Sequence, residues 1–543
     1  MRTLIAATAV VMASLVAAPS LQAQHQHEAG AAPQRLGKVH FETSCAPAVQ
    51  AEFNRGVALL HSFWFSAAID SFNKVFAGDP TCGLAHWGIA MSWWGNPFAG
   101  AKSAKAMAEG TAAVGKAKQV GAKTPREQDY IAAVELLFRD ADKVDQRTRT
   151  LAYEKAMEQI AAKYPNDSEA RLFYALSLEQ TQLPSDKTYA NLLKAGAILE
   201  REVVKQPDHP GITHYIIHGY DVPALAAKAL DAARRYAKIA PDSPHALHMP
   251  SHTFTRLGLW QESVETNIAS AAAARKDPTG ASEELHAIDY QVYAYLQLAK
   301  DASAKKVLDE LTAIGNRILL NTAGAASPAP AGYYALAAVP ARYAIERNQW
   351  KDAAALQPRD TPFLFPDAIS YFARALGAAR SGSPGAVAAD AEKLASIRDG
   401  LKGKGDQYWP SQVEIMRRVA LAWAAYAEGR KDEGLAALRE AADMEDATEK
   451  SAISPGPIKP ARELLGEMLL EMGRAADALK EFETSMKKEP GRFAALYNAA
   501  RAAQASGDGA KARKYFSDLA TMCKTADTPA RPELLAARKA TGS

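Results

Sequence analysis

Apolar residues recur along the chain with a helical spacing set inside a longer period. A small residue is followed by an apolar one four positions later, a second three later and a proline five after that, as in Ala68, Phe72, Val75 and Pro80. The pattern returns as Ala195, Leu199, Glu202 and Pro207, where Glu202 is a weak match. It returns again as Ala229, Ala233, Tyr236 and Pro241, and as Ala478, Phe482, Ser485 and Pro490. Spacings of three and four place these positions on one face of a helix. The proline, with no N–H to donate, ends that helix. Pro207 to Pro241 is a step of 34, and Gly473, Ala478 and Phe482 return at the same step as Gly507, Ala512 and Phe516. Gly56 lies twelve residues before Ala68, and Gly466 lies seven before Gly473. Small residues there let the two helices of a hairpin approach closely. No segment alternates with the period of two that marks a half-buried strand.

These residues and the 34-residue step resemble the tetratricopeptide repeat (TPR), a helix–turn–helix unit. The resemblance is carried by 461–520, 195–270 and 49–82, and more weakly around Tyr153, Gly429 and Trp350. It implies an all-α, tetratricopeptide-like α-solenoid of stacked helical hairpins, because one hairpin cannot bury its apolar face alone. The expected organisation is a signal peptide over 1–23, a polar leader over 24–44 and an irregular N-terminal and central solenoid over 45–445. A Pro-rich linker at 446–460, a C-terminal TPR pair at 461–523 and a tail at 524–543 complete it. Three segments are also similar to a family of exported bacterial TPR proteins: Gly56 to Trp64, His209 to His218 and His245 to His252. That likeness implies fold and export, and no activity.

Composition adds the compartment. Arg2, the apolar run Leu4 to Ala18, and small Ala23 after Pro19 and Ser20 have the three-part layout of a secretory signal peptide. The run is too short for a membrane anchor, and no later stretch is long and apolar enough to span a bilayer, so the mature chain is expected to be periplasmic or extracellular. The 543 residues carry 64 Lys+Arg against 61 Asp+Glu, which gives no reason to expect nucleic-acid binding. Three cysteines exclude a disulfide-framework protein. An oxidising compartment permits a bridge between Cys45 and Cys82, which flank the first hairpin, and two small buried thiols fit the same spacing.

Histidine supplies the candidate chemistry. Of 12 histidines, six fall between His209 and His252: His209, His214, His218, His245, His248 and His252. His214 plus 34 is His248, and His218 plus 34 is His252, which plus 34 is His286. Two successive repeats therefore carry His-x-x-x-His at one phase, and a third repeat adds one more. Residues four apart share a helix face, and this phase resembles the groove-facing one of TPR arrays. The expected constellation is His214, His218, His248, His252 and His286 around a common point, with Asp289 as carboxylate neighbour and His209, His245 and Asp221 as accessories. Paired imidazoles present two donors to one ion, and suit Zn, Cu or Fe without selecting among them. A groove for an organic ligand or peptide, and plain packing, fit the same residues. Pro250, inside His248–His252, is expected to loosen that turn, since it cannot donate to the Ala246 carbonyl.

Local motifs for other chemistry are missing. There is no GxGxxG after a strand, no GxxxxGK[ST], no CxxCH, no HExxH and no GxSxG. The sequence points to an exported TPR scaffold that binds a protein or peptide partner and carries a His-rich metal site in its middle repeats. A metal-dependent hydrolase or oxidase using the same histidines is the alternative.

Overall fold

A computed structural model describes residues 34–542, apart from 321, 322, 324, 325, 405 and 407. The expected signal peptide, and residues 24–33 of the expected leader, lie outside the described residues. Helix follows helix from Gln50 to Thr541, with no strand among the described residues. Successive helices pair as antiparallel hairpins, beginning with Gln50–His61 and Phe65–Gly78 and ending with Phe493–Ala505 and Gly509–Met522, before a last helix Pro532–Thr541. From Arg35 onward the chain is one compact unit.

The repeat pattern does the work predicted for it. Helices Phe65–Gly78, Ala190–Lys205, Leu230–Ile239 and Ala475–Lys488 each end two residues before Pro80, Pro207, Pro241 and Pro490. Phe72 and Phe482 are fully buried. A Cβ at Gly56 would lie 2.8 Å from the Phe72 ring, and one at Gly466 would lie 2.7 Å from the Phe482 ring. The glycine on the first helix thus admits the aromatic ring of the second. Gly88, on the next helix, clamps Phe72 from its other side, with an added Cβ only 2.4 Å from the ring. Gly88→Ala is expected to destabilise the fold by about 1–3 kcal/mol through overpacking. An unchanged denaturation midpoint would show that the hairpins have slack at this contact.

Cys45 and Cys82 are joined by a disulfide that ties the start of the first hairpin to its end, and Cys523 is buried and free. No described helix is long and apolar enough to cross a membrane. The proline-rich segment 446–460 packs onto the middle repeats. Arg342 donates to the Pro457 and Gly456 carbonyls at 2.7 and 2.8 Å, and the Tyr290 hydroxyl donates to the Ser454 carbonyl at 2.9 Å.

Candidate metal centre

Four helices bring the histidines together. His214 and His218 stand one turn apart on Pro210–Gly219, which Pro210 opens from its first turn. His245 and His248 lie on Pro244–His248, where the Ser243 hydroxyl caps the Ala246 N–H. His252 follows on Pro250–Arg256, and His286 lies on Ala281–Gln297. Pro250 interrupts the middle element as expected: the His252 N–H reaches only the Met249 carbonyl, three residues back, at 3.1 Å.

The five expected rings do not share one point; they sort into two groups. His214, His218 and His245 form one, and His248, His252 and His286 form the other, with donor atoms in each group within 4.8 Å of one another. Each in-phase pair is completed by a histidine from the first helix of the next hairpin. His245, expected as an accessory, is thus the third member of the first group, aimed there by the short helix that Pro250 ends.

Hydrogen bonds fix which nitrogen each ring presents. His214 Nδ1 donates to the His61 carbonyl at 2.7 Å, and His245 Nδ1 donates to Glu283 Oε1 at 2.9 Å. His252 Nδ1 donates to Asp221 Oδ2 at 2.8 Å. The Asn267 amide nitrogen donates to the Ser263 carbonyl, so its Oδ1 faces His248 Nδ1 as acceptor at 2.7 Å. With the proton on Nδ1, Nε2 is left as a lone pair in all four. Nε2 of His214, His218 and His245 has no hydrogen-bond partner among the described residues. Nε2 of His248 and His252 face each other at 3.1 Å.

The surroundings disfavour charge on His214, His218, His248, His252 and His286. His214 and His248 are fully buried, and His245, His252 and His286 are nearly so. Burial, reinforced by the neighbouring imidazoles, lowers His214, His218, His248 and His286 well below the usual histidine range. Burial also takes His252 down to about 4, against the pull of Asp221. Burial alone would raise the Glu283 carboxyl, but His245 outweighs it and holds the group at about 2.

Phe63 walls the first group, its ring centroid 4.4 Å from that of His214 and 5.6 Å from that of His245. It does so from a left-handed backbone position, φ 53°, at the hairpin turn where other repeats place Gly258, Gly473 and Gly507. A phenylalanine held in that conformation is strained, and the ring it supplies is what no glycine can. Phe63→Gly is expected to relieve the backbone strain yet lower stability by about 3 kcal/mol through the lost ring. Equal or greater stability would mean the ring packs loosely on the imidazoles.

A third group stands apart. His61 and His209 donate from Nε2 to the two oxygens of Glu169 at 2.8 and 3.0 Å, and the Tyr215 hydroxyl donates to His61 Nδ1 at 2.7 Å. Burial pushes the Glu169 carboxyl up, but the two imidazoles overcome it and hold the group well below the usual range. Glu169 thus braces both rings in the core, while His209 Nδ1 has no hydrogen-bond partner among the described residues. His209, expected beside the cluster, belongs to this third group, and so does His61.

Asp289 differs from expectation, while Asp221 is the accessory it was expected to be. Asp289 joins neither histidine group: its Oδ1 accepts from Arg342 Nε at 3.0 Å, a fully buried ion pair. Arg342 is buried there because segment 446–460 supplies the carbonyls for its other donors. Asp221 does not approach the donor atoms but anchors His252, while also binding Arg256 at 3.0 Å and Lys450 at 2.7 Å. Glu283 and Asn267 were not expected at all. Glu283 was within reach of sequence reasoning, since it lies three residues before His286 on the same helix face. Asn267 comes from a neighbouring helix with no spacing to betray it. The histidines also lie under the chain's own segments rather than along an open groove, with Asn96, Phe98, Ala326, Pro328 and Ile453 at the remaining cleft.

Comparison with known proteins bears on the fold. Residues 469–521 match the tetratricopeptide repeat family. A human IFIT1 dimer with PPP-AAAA is similar at 12% identity, over 78% of this chain and 87% of that one, with a TM-score of 0.35. Naa15/Naa10 bound to HypK-THB is similar at 12% identity, over 90% of this chain and 64% of that one, with a TM-score of 0.23. No curated protein sequence matches the chain. Residues 469–521 are thus a tetratricopeptide-repeat segment, and helical hairpins of the same kind run through the rest of the described chain.

Proposed function

We propose that this protein binds transition-metal ions at the buried histidines of its middle repeats, on an exported TPR scaffold. One observation carries the reading. His248 and His252 each have the Nδ1 proton committed, to Asn267 and Asp221, yet their Nε2 atoms face each other at 3.1 Å. Two lone pairs at that distance repel unless a cation lies between them. Two nitrogens of one tetrahedral set, each about 2.0–2.1 Å from an ion, stand about 3.4 Å apart, close to this spacing. Carboxylate or amide partners behind the ligating rings are the usual support of metal-bound imidazole. The Cys45–Cys82 bridge and the sequence of residues 1–23 support export to an oxidising compartment.

Repeats of this type generally mediate protein interactions through their extended surfaces. We place partner binding on the C-terminal repeats, because segment 446–460 and its neighbours cover the histidines. An open cleft there is lined by Phe493, Tyr497, Asn498 and Arg501. A hydrolase or oxidase activity at the histidines is the second reading, and requires an ion with an open position.

Elemental analysis of protein purified from its native compartment tests the metal, with His218→Ala/His252→Ala beside it. The wild type is expected to carry bound metal and the variant to lose most of it. Equal metal in both proteins would remove the reading.

A further inference from the structure

We infer that the two histidine groups form one dinuclear copper centre that takes dioxygen between its ions. The inference rests on the metal reading above and goes beyond it in three respects: the number of ions, their identity and their ligand.

The number follows from placement. Each group offers three imidazoles, the donor set of an ion that keeps a further position open. The groups are neighbours, with ring centroids 5.9 Å apart both for His218 and His252 and for His245 and His248. One cleft is lined by His218 and His245 from the first group and by His252 and His286 from the second. Both open positions therefore face the same space.

The identity follows from charge. No carboxylate belongs to either group of donor atoms. Glu283 and Asp221 sit behind the rings, on the Nδ1 side. Paired iron or manganese ions are held by carboxylates that offset their charge. Here two adjacent ions have only neutral donors, and repulsion between two dications is about fourfold that between two monocations at one distance. A neutral all-imidazole pair thus favours cuprous ions when reduced. Among divalent ions, copper also binds nitrogen donors most tightly.

The ligand follows from size and access. The space between the groups holds about one water-sized molecule, and Phe98, Ala326, Pro328 and Ile453 line its mouth. The small cleft with its largely apolar mouth favours a small diatomic ligand over an organic substrate. In the step proposed, each cuprous ion gives up one electron and dioxygen takes both. The product is peroxide held between two cupric ions. No bond of the protein breaks and no proton moves.

The test uses the purified full chain, loaded anaerobically with cuprous ion and then exposed to dioxygen. Metal content and electron paramagnetic resonance are read on the same sample. Two copper ions per chain are expected, nearly silent after oxygen exposure because the paired cupric spins cancel, and showing the peroxide-to-copper charge-transfer absorption that two unreacted cuprous ions, also silent, would lack. His286→Gln is expected to halve the copper content and to show the full signal of an isolated cupric ion. Circular dichroism of the variant checks that it folds, and the wild-type readings decide the matter even where it does not. One copper per chain, two coppers with undiminished signal, or retention of zinc in preference to copper would each overturn the pairing while leaving a metal protein. No bound metal at all would overturn the earlier reading as well.

Discussion

Metal-free protein is expected to lose most of its stability between pH 7 and pH 5. His214, His218, His248 and His286 are held well below the usual histidine value by burial, and His252 is taken down to about 4. The unfolded chain would titrate these groups near pH 6.5. Their folded values are lower, so the unfolded state binds protons first as the pH falls. Their stability contribution is complete above about pH 6.5 and is withdrawn below it, until the folded values are reached. At pH 5.5 each group withdraws about 1.4 kcal/mol, or about 7 kcal/mol for the five together. That is comparable with the whole stability of an ordinary domain, about 5–15 kcal/mol. Denaturant titrations of chelator-treated protein at pH 7.5 and 5.5 check this. A midpoint that does not move would mean the rings are hydrated, which their burial contradicts. Bound metal should shift the loss to lower pH, because it stabilises only the folded state.

The second large effect is expected at Arg492, far from the histidines. Its guanidinium donates to Glu463 Oε2 at 2.7 Å, to Glu346 Oε1 at 2.5 Å and to the Tyr293 hydroxyl at 2.5 Å. Arg492, Glu346 and Glu463 side chains are all fully buried. These partners come from helices Ala281–Gln297, Ala329–Ile345 with its C-cap, and Ala461–Glu471, so one side chain ties the C-terminal repeats to the middle ones. Arg492→Met keeps the stem but leaves two carboxylates without their counter-charge. Breaking a buried pair in this way costs about 3–5 kcal/mol. Adding Glu346→Gln and Glu463→Gln should recover most of the loss, since the uncompensated charge is then gone. A loss that persists in the triple variant would assign the effect to packing of the guanidinium over Tyr293, whose ring centroid is 5.4 Å away.

Sequence alone determined the repeat and the phase of the histidines. The 34-residue step is local information: each small residue, aromatic and terminal proline acts within its own hairpin. Gly56 against Phe72 and Gly466 against Phe482 are therefore legible at fixed offsets. The shared phase of His214, His218, His248, His252 and His286 is legible for the same reason, since stacked hairpins repeat their orientation. Only the tertiary structure decided how those rings are shared out. Completing a group of three requires a residue from the first helix of the next hairpin, and the short helix Pro244–His248 carries His245 into the first group. Asp289 was lost to the site because Arg342, 53 residues on, binds it. The brace of His61, Glu169 and His209 joins residues up to 148 apart in sequence, with no common spacing. A ring's partner is fixed by distance in space and by which buried charge must be answered, and neither is written in the local period.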